Sequence, residues 1–161
     1  MAVPCTEHLF LTGEKGVGKS TLVQFLLRGR RPCGFQTRRV TGVLERPSVH
    51  LLSASGGQPT AENLLFYCGA YTSERFDTLG VAALRDRRGD VLLMDELGPA
   101  ESEAKAFTAA VLAALDGDLP VLGVLQRADT DFLRAVAAHP RVRVVTVTRD
   151  NRDTLRETLR F

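Results

Sequence analysis

The chain has 161 residues, 44% of them hydrophobic and 25% charged, and its net charge is +2. This length and composition predict a single domain over residues 1–161, large enough to bury a core without disulfides or a structural metal. The small net charge gives no electrostatic reason to expect a nucleic-acid or membrane partner. No apolar run approaches the roughly 20 residues of a membrane span.

The three cysteines, Cys5, Cys33 and Cys68, are widely spaced and odd in number. No Cys-x-x-Cys pair or Cys/His cluster has metal-binding spacing, so we expect free thiols in a reducing compartment. No basic region precedes an apolar stretch at the N-terminus, which argues against a secretory signal. We therefore expect a cytoplasmic protein. The sequence leaves the oligomeric state open, with a monomer as the simplest case.

The first predicted strand, His8–Leu11, runs into the segment Gly-Glu-Lys-Gly-Val-Gly-Lys-Ser-Thr at residues 13–21. This segment has the spacing Gly, four residues, Gly-Lys-Ser/Thr, and the apolar pattern of residues 22–27 behind it predicts a buried helix. Strand, glycine-rich loop and helix together are the context that a phosphate-binding loop (P-loop) requires. The alternative is an ordinary glycine-rich turn with a helix-capping serine, which these flanks disfavour.

Each part of this loop has a role in binding a nucleoside triphosphate. Glycines let backbone N–H groups approach an anion, and the N-terminus of the following helix adds free N–H groups and a positive dipole end. Lys19 is predicted to act on the β/γ-phosphates in binding and catalysis, and the Ser20 hydroxyl to ligate the cofactor Mg²⁺. The predicted site for ATP or GTP comprises Gly13, Glu14, Lys15, Gly16, Val17, Gly18, Lys19, Ser20 and Thr21.

Residues 34–39, Gly-Phe-Gln-Thr-Arg-Arg, follow the predicted helix after a Pro-Cys break. One interpretation is a loop that reaches the triphosphate. Thr37 would then bond the γ-phosphate or the attacking water as a catalytic residue, and Arg38 or Arg39 would neutralise developing charge. The other interpretation is an edge strand with exposed polar residues. The residues alone favour neither.

Strands and helices alternate along the rest of the chain. The other predicted strands cover residues 49–52, 64–67, 91–94, 121–125 and 142–147, and the predicted helices cover residues 101–115, 129–138 and 151–159. This alternation predicts an α/β fold, a three-layer P-loop sandwich around a mostly parallel central sheet. Its ligand site belongs beyond the carboxyl ends of the strands.

The predicted strand at residues 91–94 ends in two carboxylates, Asp95 and Glu96. Asp95 is placed to hold Mg²⁺ together with Ser20, directly or through water. Glu96 is placed to orient and deprotonate a water that attacks the γ-phosphate. Acidic residues also follow strands as turn formers or caps, but beside a P-loop we favour catalysis. An Asp-Glu pair here indicates hydrolysis with water as the acceptor, because most kinases and GTPases lack the adjacent Glu.

Two subclasses of P-loop protein are disfavoured by the residues at one or two positions. Guanine-specific GTPases recognise the base with Asn-Lys-x-Asp, whereas residues 126–129 here are Gln-Arg-Ala-Asp, and Asp129 is equally explained as a helix N-cap. Partitioning-type ATPases carry a second Lys five residues before the P-loop Lys, and that position is Glu14 here. We therefore expect broad base specificity.

The motifs resemble one family, the small P-loop nucleoside triphosphatases that include the cancer-related nucleoside triphosphatase and its thermophile relatives. The resemblance spans most of the chain in the right order. The matching segments are residues 16–19 (Gly-Val-Gly-Lys), 34–37 (Gly-Phe-x-Thr), 95–98 (Asp-Glu-Leu-Gly for the family's Asp-Glu-Ile-Gly), Glu101 and 151–153 (Asn-Arg-Asp). The chain departs from the family at residues 41–50, which lack its Gly-x-Arg-x-Gly-Phe hairpin, and at Pro99, which replaces a frequent Lys.

The resemblance implies a RecA-like core and slow hydrolysis of ATP, GTP and other nucleoside triphosphates to the diphosphate and phosphate. It also makes Asn151 and Arg152 candidates for nucleotide contacts at the base or ribose, while Asn151 is equally explained as an N-cap. Two alternatives stay open. One is a regulatory nucleotide-binding module with slow turnover. The other is a nucleotide-dependent kinase of a small metabolite or nucleic-acid end, whose lid would need Arg85, Arg87 and Arg88.

Overall fold

One seven-stranded sheet runs through the computed structural model, which describes residues 7–161. The strands are β1 (His8–Thr12), β2 (Pro32–Val40), β3 (Ser48–Ser53), β4 (Leu64–Tyr67), β5 (Val91–Leu97), β6 (Val121–Leu125) and β7 (Val142–Thr146). Their order across the sheet is β4-β3-β2-β5-β6-β1-β7; the β4–β3 and β3–β2 pairs are antiparallel, and the other neighbours pair in parallel. The predicted α/β fold with a mostly parallel sheet is confirmed.

Within residues 7–161, five α-helices join these strands. They are α1 (Lys19–Leu26), α2 (Val81–Arg85), α3 (Lys105–Leu115), α4 (Asp131–Ala137) and α5 (Arg152–Thr158). Shorter helical turns lie at Ala61–Asn63 and Pro99–Glu101, both 3₁₀, and at Phe76–Gly80, a π turn that leads into α2. Over this part of the chain, no helix combines the length and the apolar character needed to cross a membrane.

Helices cover both faces of the sheet, because side chains along each strand alternate between two apolar layers. Leu92 and Met94 of β5 join the core that includes Phe107 of α3. Leu93 of the same strand faces the other way and joins the core that includes Leu22 of α1. This alternation is the period-two geometry of a strand buried on both faces. The result is the expected three-layer sandwich.

Strand β2 corrects both interpretations of residues 34–39, because it lies inside the sheet between β3 and β5. The segment is neither a loop nor an edge strand. Its pairing with β5 stops where Gln36 lies opposite Asp95, whereas its pairing with β3 continues to the end of the strand. The last residues of β2 therefore extend beyond β5, so Arg38 and Arg39 are exposed although the strand is internal.

Two predicted helices begin later than expected. Helix α3 starts at Lys105, because the residues before it form a separate 3₁₀ turn. In that turn the carboxyl group of Glu101 accepts a hydrogen bond from the N–H of Gly98. Helix α4 starts at Asp131, and its N-cap is Thr130, whose Oγ1 accepts a hydrogen bond inside the first turn. Asp129, which the sequence suggested as the N-cap, lies one residue earlier, so that expectation is wrong.

A buried histidine at the amino end of β1 forms hydrogen bonds with the end of α3 and the start of β6. The Nδ1 atom of His8 accepts a hydrogen bond from the N–H of Val121 at 3.0 Å. The proton of the ring therefore lies on Nε2, which donates to the carbonyl oxygen of Leu115 at 2.8 Å. Burial lowers the pKa of His8 below its ordinary value of 6.5, and the charge of Arg141 acts in the same direction. The ring is neutral in the folded protein at neutral pH.

We expect the protein to lose stability relative to a His8→Gln variant as the pH falls below about 6.5. The unfolded chain takes up a proton on His8 in that range, whereas the folded chain with its lowered pKa does not, so the free energy of unfolding decreases. The slope for one proton is at most about 1.4 kcal/mol per pH unit. Urea titrations of both proteins between about pH 7.5 and about pH 5.5 measure the difference. Identical pH dependence of the two proteins would contradict this role of His8.

Candidate functional site

The segment between β1 and α1 forms a loop around a free helix N-terminus. Gly13, Gly16 and Gly18 have φ angles of 143°, 81° and 106°, which residues with a Cβ rarely adopt. A Cβ on Gly13 would also lie 2.4 Å from the carbonyl oxygen of Val147. Val17 is buried in the core below, so it offers a ligand only its main chain. No side chain of residues 7–161 caps α1, so its first N–H groups are available to an anion.

Lys19 begins α1, and its ammonium group lies back over the loop. Its Nζ donates to the carbonyl oxygens of Gly13, 2.5 Å away, and Glu14, 3.2 Å away. Ser20 and Thr21 follow in the first turn of the helix and are exposed, so their hydroxyl groups are open to a ligand. The predicted lysine and hydroxyl groups of the P-loop therefore surround the same helix N-terminus.

Strand β5 brings two carboxylates to the same edge of the sheet. Burial and the neighbouring Glu96 raise the pKa of Asp95 to about 6, while the charge of Lys19 acts in the opposite direction. Asp95 of β5 and Leu11 of β1 both lie opposite Val124 of β6, so the end of β5 and the P-loop leave the sheet at the same edge. The pairing of β5 with β6 shifts register between Asp95 and Leu97, so a β-bulge lies at Glu96.

Glu96 forms hydrogen bonds with residues on both sides of β5, one in β2 and one directly after β6. Its N–H donates a long hydrogen bond, 3.4 Å, to Oγ1 of Thr37 on the overhanging end of β2. Its Oε1 accepts a hydrogen bond from Nε2 of Gln126 at 2.7 Å. Gln126 directly follows β6, and the sequence analysis missed it as a site residue. A polar residue at the carboxyl end of a fully buried strand was the signal that could have found it.

The other residues after β6 do not form a guanine-recognition motif. Nη1 of Arg127 lies 3.8 Å from Oε1 of Glu14, at the exposed tip of the P-loop next to Lys15. Asp129 accepts a hydrogen bond from Arg134 of α4. Both side chains are thus engaged within the protein. The geometry agrees with the sequence, which departs from Asn-Lys-x-Asp at this strand end.

Arg152, at the start of α5, lies against the P-loop. A Cβ on Gly18 would be 3.2 Å from Cδ of Arg152 and 3.8 Å from its Nη1. The arginine is exposed, and within the described part of the chain its guanidinium makes no hydrogen bond or ion pair. Asn151 is different: its side chain accepts from the N–H of Thr148 at 2.7 Å and donates to the carbonyl oxygen of Thr146 at 2.9 Å. Asn151 is the N-cap residue of α5, as expected, but its side chain makes no capping hydrogen bond within residues 7–161 and instead holds the turn after β7.

Two oxygen donors at this edge fit a divalent cation: the hydroxyl of Ser20 and the carboxylate of Asp95. Within residues 7–161, no group of three or more His, Cys, Asp or Glu side chains is arranged to hold a metal by itself. Mg²⁺ is commonly bound through one or two protein oxygens, with waters and substrate phosphates completing its shell. The donor set therefore fits Mg²⁺ held jointly with a nucleotide.

The arginines considered for a kinase lid lie at the opposite edge of the sheet. Arg85, Arg87 and Arg88 belong to the connection from α2 into the amino end of β5. Nε of Arg87 donates to the carbonyl oxygen of Leu84 at 2.6 Å, and Nε of Arg88 pairs with Asp86 at 3.0 Å. The P-loop follows the carboxyl end of β1, in the parallel part of the sheet. The proposed use of these arginines as a lid is wrong.

Comparison with known proteins agrees with this arrangement. A family model described as NTPase matches residues 8–159. The chain belongs to this NTPase family. The match covers every strand and helix described above, so the phosphate-binding loop, the Asp-Glu strand end and the start of α5 are all parts of the family's domain.

Individual relatives cover nearly the whole chain. The nucleoside-triphosphatase THEP1 of Thermofilum pendens is 30% identical over 168 aligned residues, which include 92% of this chain and 91% of the relative. The cancer-related nucleoside-triphosphatase homolog of Mus musculus is 28% identical, with 93% of each chain covered.

Solved structures agree with the fold. The crystal structure of THEP1 from Aquifex aeolicus superposes with a TM-score of 0.72 at 23% identity, covering 93% of this chain and 95% of that one. The solution structure of a human cancer-related nucleoside triphosphatase superposes with a TM-score of 0.67 at 25% identity, covering 94% of each chain. The expected P-loop NTPase fold and family are confirmed.

Proposed function

We propose that this member of the NTPase family hydrolyses ATP, GTP and other nucleoside triphosphates to the diphosphate and phosphate, with Mg²⁺ as cofactor. The observation that carries the proposal is that the uncapped N-terminus of α1 and the two carboxylates that end β5 lie at the same edge of the sheet. The relatives named nucleoside-triphosphatases support the same activity. Free thiols at Cys33 and Cys68 support a cytoplasmic location, while Cys5 lies outside the described residues.

Nucleotide binding rests on the loop from residue 13 to residue 21. Its N–H groups surround the phosphates, and Lys19 exchanges the carbonyl oxygens that it now contacts for the β- and γ-phosphates. Arg152 adds a cationic contact, which is supported by its position beside Gly18 and by a guanidinium that makes no hydrogen bond or ion pair within residues 7–161. Asn151 holds the turn from which that arginine projects and lines the base or ribose side of the site.

Ser20 and Asp95 are the proposed ligands of Mg²⁺. The cation, when bound, neutralises charge on the β- and γ-phosphates. For Asp95 to act as a ligand it must lose the proton that its raised pKa favours below about pH 6. The positive charge of Lys19 assists that loss, because it acts on Asp95 against the effect of burial.

Hydrolysis itself is assigned to Glu96, Lys19 and Thr37. Glu96 accepts the proton of a water that attacks the γ-phosphate, since its carboxylate lies where β5 leaves the sheet. Thr37, on the overhanging end of β2, helps to place that water or the γ-phosphate, and Lys19 stabilises charge that develops on the leaving group. Gln126 donates to the same carboxylate and so limits its orientation.

Water is the proposed acceptor of the γ-phosphoryl group. The site is also proposed to accept nucleotides with different bases. A kinase would need a cationic lid, and the arginines considered for one lie at the far edge of the sheet. A guanine-specific site would need a free Asp after β6, whereas Asp129 is engaged by Arg134. Most contacts proposed for the nucleotide are made to its phosphates, which all nucleoside triphosphates share.

Lys19→Ala is expected to weaken ATP binding at least roughly tenfold, because it removes a charge-assisted contact to the phosphates. Titration of fluorescent ATP with Mg²⁺ present measures the affinity. The matched control is Lys105→Ala, which removes an exposed lysine from the start of α3 and should bind as the parent does. Unchanged affinity in a folded Lys19→Ala protein would overturn the proposed site.

Glu96→Gln is expected to bind ATP normally and to hydrolyse it at least roughly tenfold more slowly, because it keeps the side-chain size but removes the base. Phosphate release under saturating ATP measures the rate. Glu103→Gln, an exposed acid a few residues later, is the control and should retain the parent rate. If Glu96→Gln releases phosphate as fast as the parent, the kinase and regulatory-module alternatives become the better explanations.

Side-by-side hydrolysis of ATP, GTP, CTP and UTP is expected to give kcat/KM values within about a hundredfold of each other, equivalent to about 2.7 kcal/mol of discrimination. The reason is that the proposed binding contacts are concentrated on the phosphates. Adding candidate phosphate acceptors to the same assay should leave the rate of phosphate release unchanged. A larger preference would reveal a base-specific pocket and contradict the proposal.

A further inference from the structure

Glu101 is the one acidic side chain that is buried within the described residues, with 4% of its surface exposed. Placing a carboxyl group in an apolar interior is unfavourable unless its oxygens find hydrogen-bond partners. Nothing in the proposed binding of phosphate, cation or water uses it. Its burial therefore needs a reason within the loop that follows β5.

The loop after β5 contains a hydrogen-bond partner for the buried carboxyl group. Oε2 of Glu101 accepts a hydrogen bond from the N–H of Gly98 at 2.7 Å, which closes the 3₁₀ turn onto the end of β5. Gly98 is also enclosed from the other side, because a Cβ there would lie 2.6 Å from the side-chain amide of Gln126. The chain just after Glu96 is thus fixed between a buried carboxyl group and the glutamine that contacts Glu96 itself.

The charge state of Glu101 matters to its neighbour. Burial raises the pKa of Glu101 to about 8, and among charged groups the Glu96 carboxylate acts in the same direction. At neutral pH the Glu101 carboxyl group is therefore protonated. It still accepts the hydrogen bond from Gly98, but it places no second negative charge beside Glu96.

We propose that Glu101 is a positioning residue for hydrolysis: through Gly98 it fixes the path of the chain after β5 and so the direction in which Glu96 faces the attacking water. Glu101 touches neither nucleotide nor cation. The inference rests on the proposed function, because it acts through Glu96.

The first test compares Glu101→Gln with Glu101→Leu. The glutamine has the acceptor oxygen and no charge, so its kcat at pH 7 should be within about threefold of the parent. The leucine fills the space without an acceptor, so its kcat should fall at least roughly tenfold while its affinity for ATP stays within about twofold. Glu103→Leu, at an exposed position nearby, is the control and should keep the parent kcat.

The second test is Glu101→Asp, which keeps the carboxyl group but shortens the side chain by one methylene. The shorter side chain withdraws the carboxyl group from the N–H of Gly98, so kcat should fall at least roughly tenfold while the affinity for ATP stays within about twofold. This comparison does not need the leucine variant, so it decides the matter if that protein does not fold.

Three results would overturn the inference: parent kcat in a folded Glu101→Leu protein, equal losses in the glutamine and leucine variants, or parent kcat in a folded Glu101→Asp protein. Glu96→Gln separates this failure from failure of the proposed function. A slow Glu96→Gln together with any of these results removes only the role of Glu101. A Glu96→Gln protein with the parent rate removes the hydrolytic mechanism itself.

Discussion

The register of β6 against its two neighbours sets the position of the chemical groups in the site. Val124 of β6 is level with Leu11 of β1 on one side and with Asp95 of β5 on the other. Because the three strands are parallel, the P-loop and the carboxylates leave the sheet at the same edge. Strands β6 and β1 also pack closely, because a Cβ on Gly123 of β6 would lie 2.1 Å from the ring of Phe10 of β1. A slip of one residue would move a strand by about 3.3 Å and turn its side chains to the opposite face.

Features confined to consecutive residues were predictable from the sequence, and features made by distant contacts were not. The P-loop is nine adjacent residues between a strand and a helix, and the Asp-Glu pair directly follows an apolar run. Gln126 contacts a residue 30 positions earlier, so its position in the site appears only when the sheet has formed. The same holds for β2, whose exposed arginines suggested a loop or an edge. Its partner strands, which make it internal, are known only from the fold.

Two carboxyl groups at this edge of the sheet, one half-buried and one buried, make the folded state electrostatically less favourable at neutral pH. The pKa values of Asp95 and Glu101 are raised from 3.8 to about 6 and from 4.5 to about 8, in both cases mainly by burial. A group with a raised pKa stabilises the fold fully below its unfolded pKa, and this contribution is lost as the pH rises through the folded value. The loss spans about pH 4 to 6 for Asp95 and about pH 4.5 to 8 for Glu101. At neutral pH the burial of these two carboxyl groups therefore opposes the stability of the fold.

The place of β1 between β6 and β7 has a consequence for the order of folding. This strand comes first in the chain, yet it pairs only with strands near the other end: Leu9 lies opposite Leu122, and His8 opposite Val142. During synthesis, β2, β3 and β4 are able to pair with one another as they emerge, whereas β1 must wait until most of the chain has been made. Pairing between residues so distant in sequence is intrinsically slow. The phosphate-binding loop therefore takes its shape late, and a growing chain on the ribosome has no nucleotide site until β6 and β7 have left the exit tunnel.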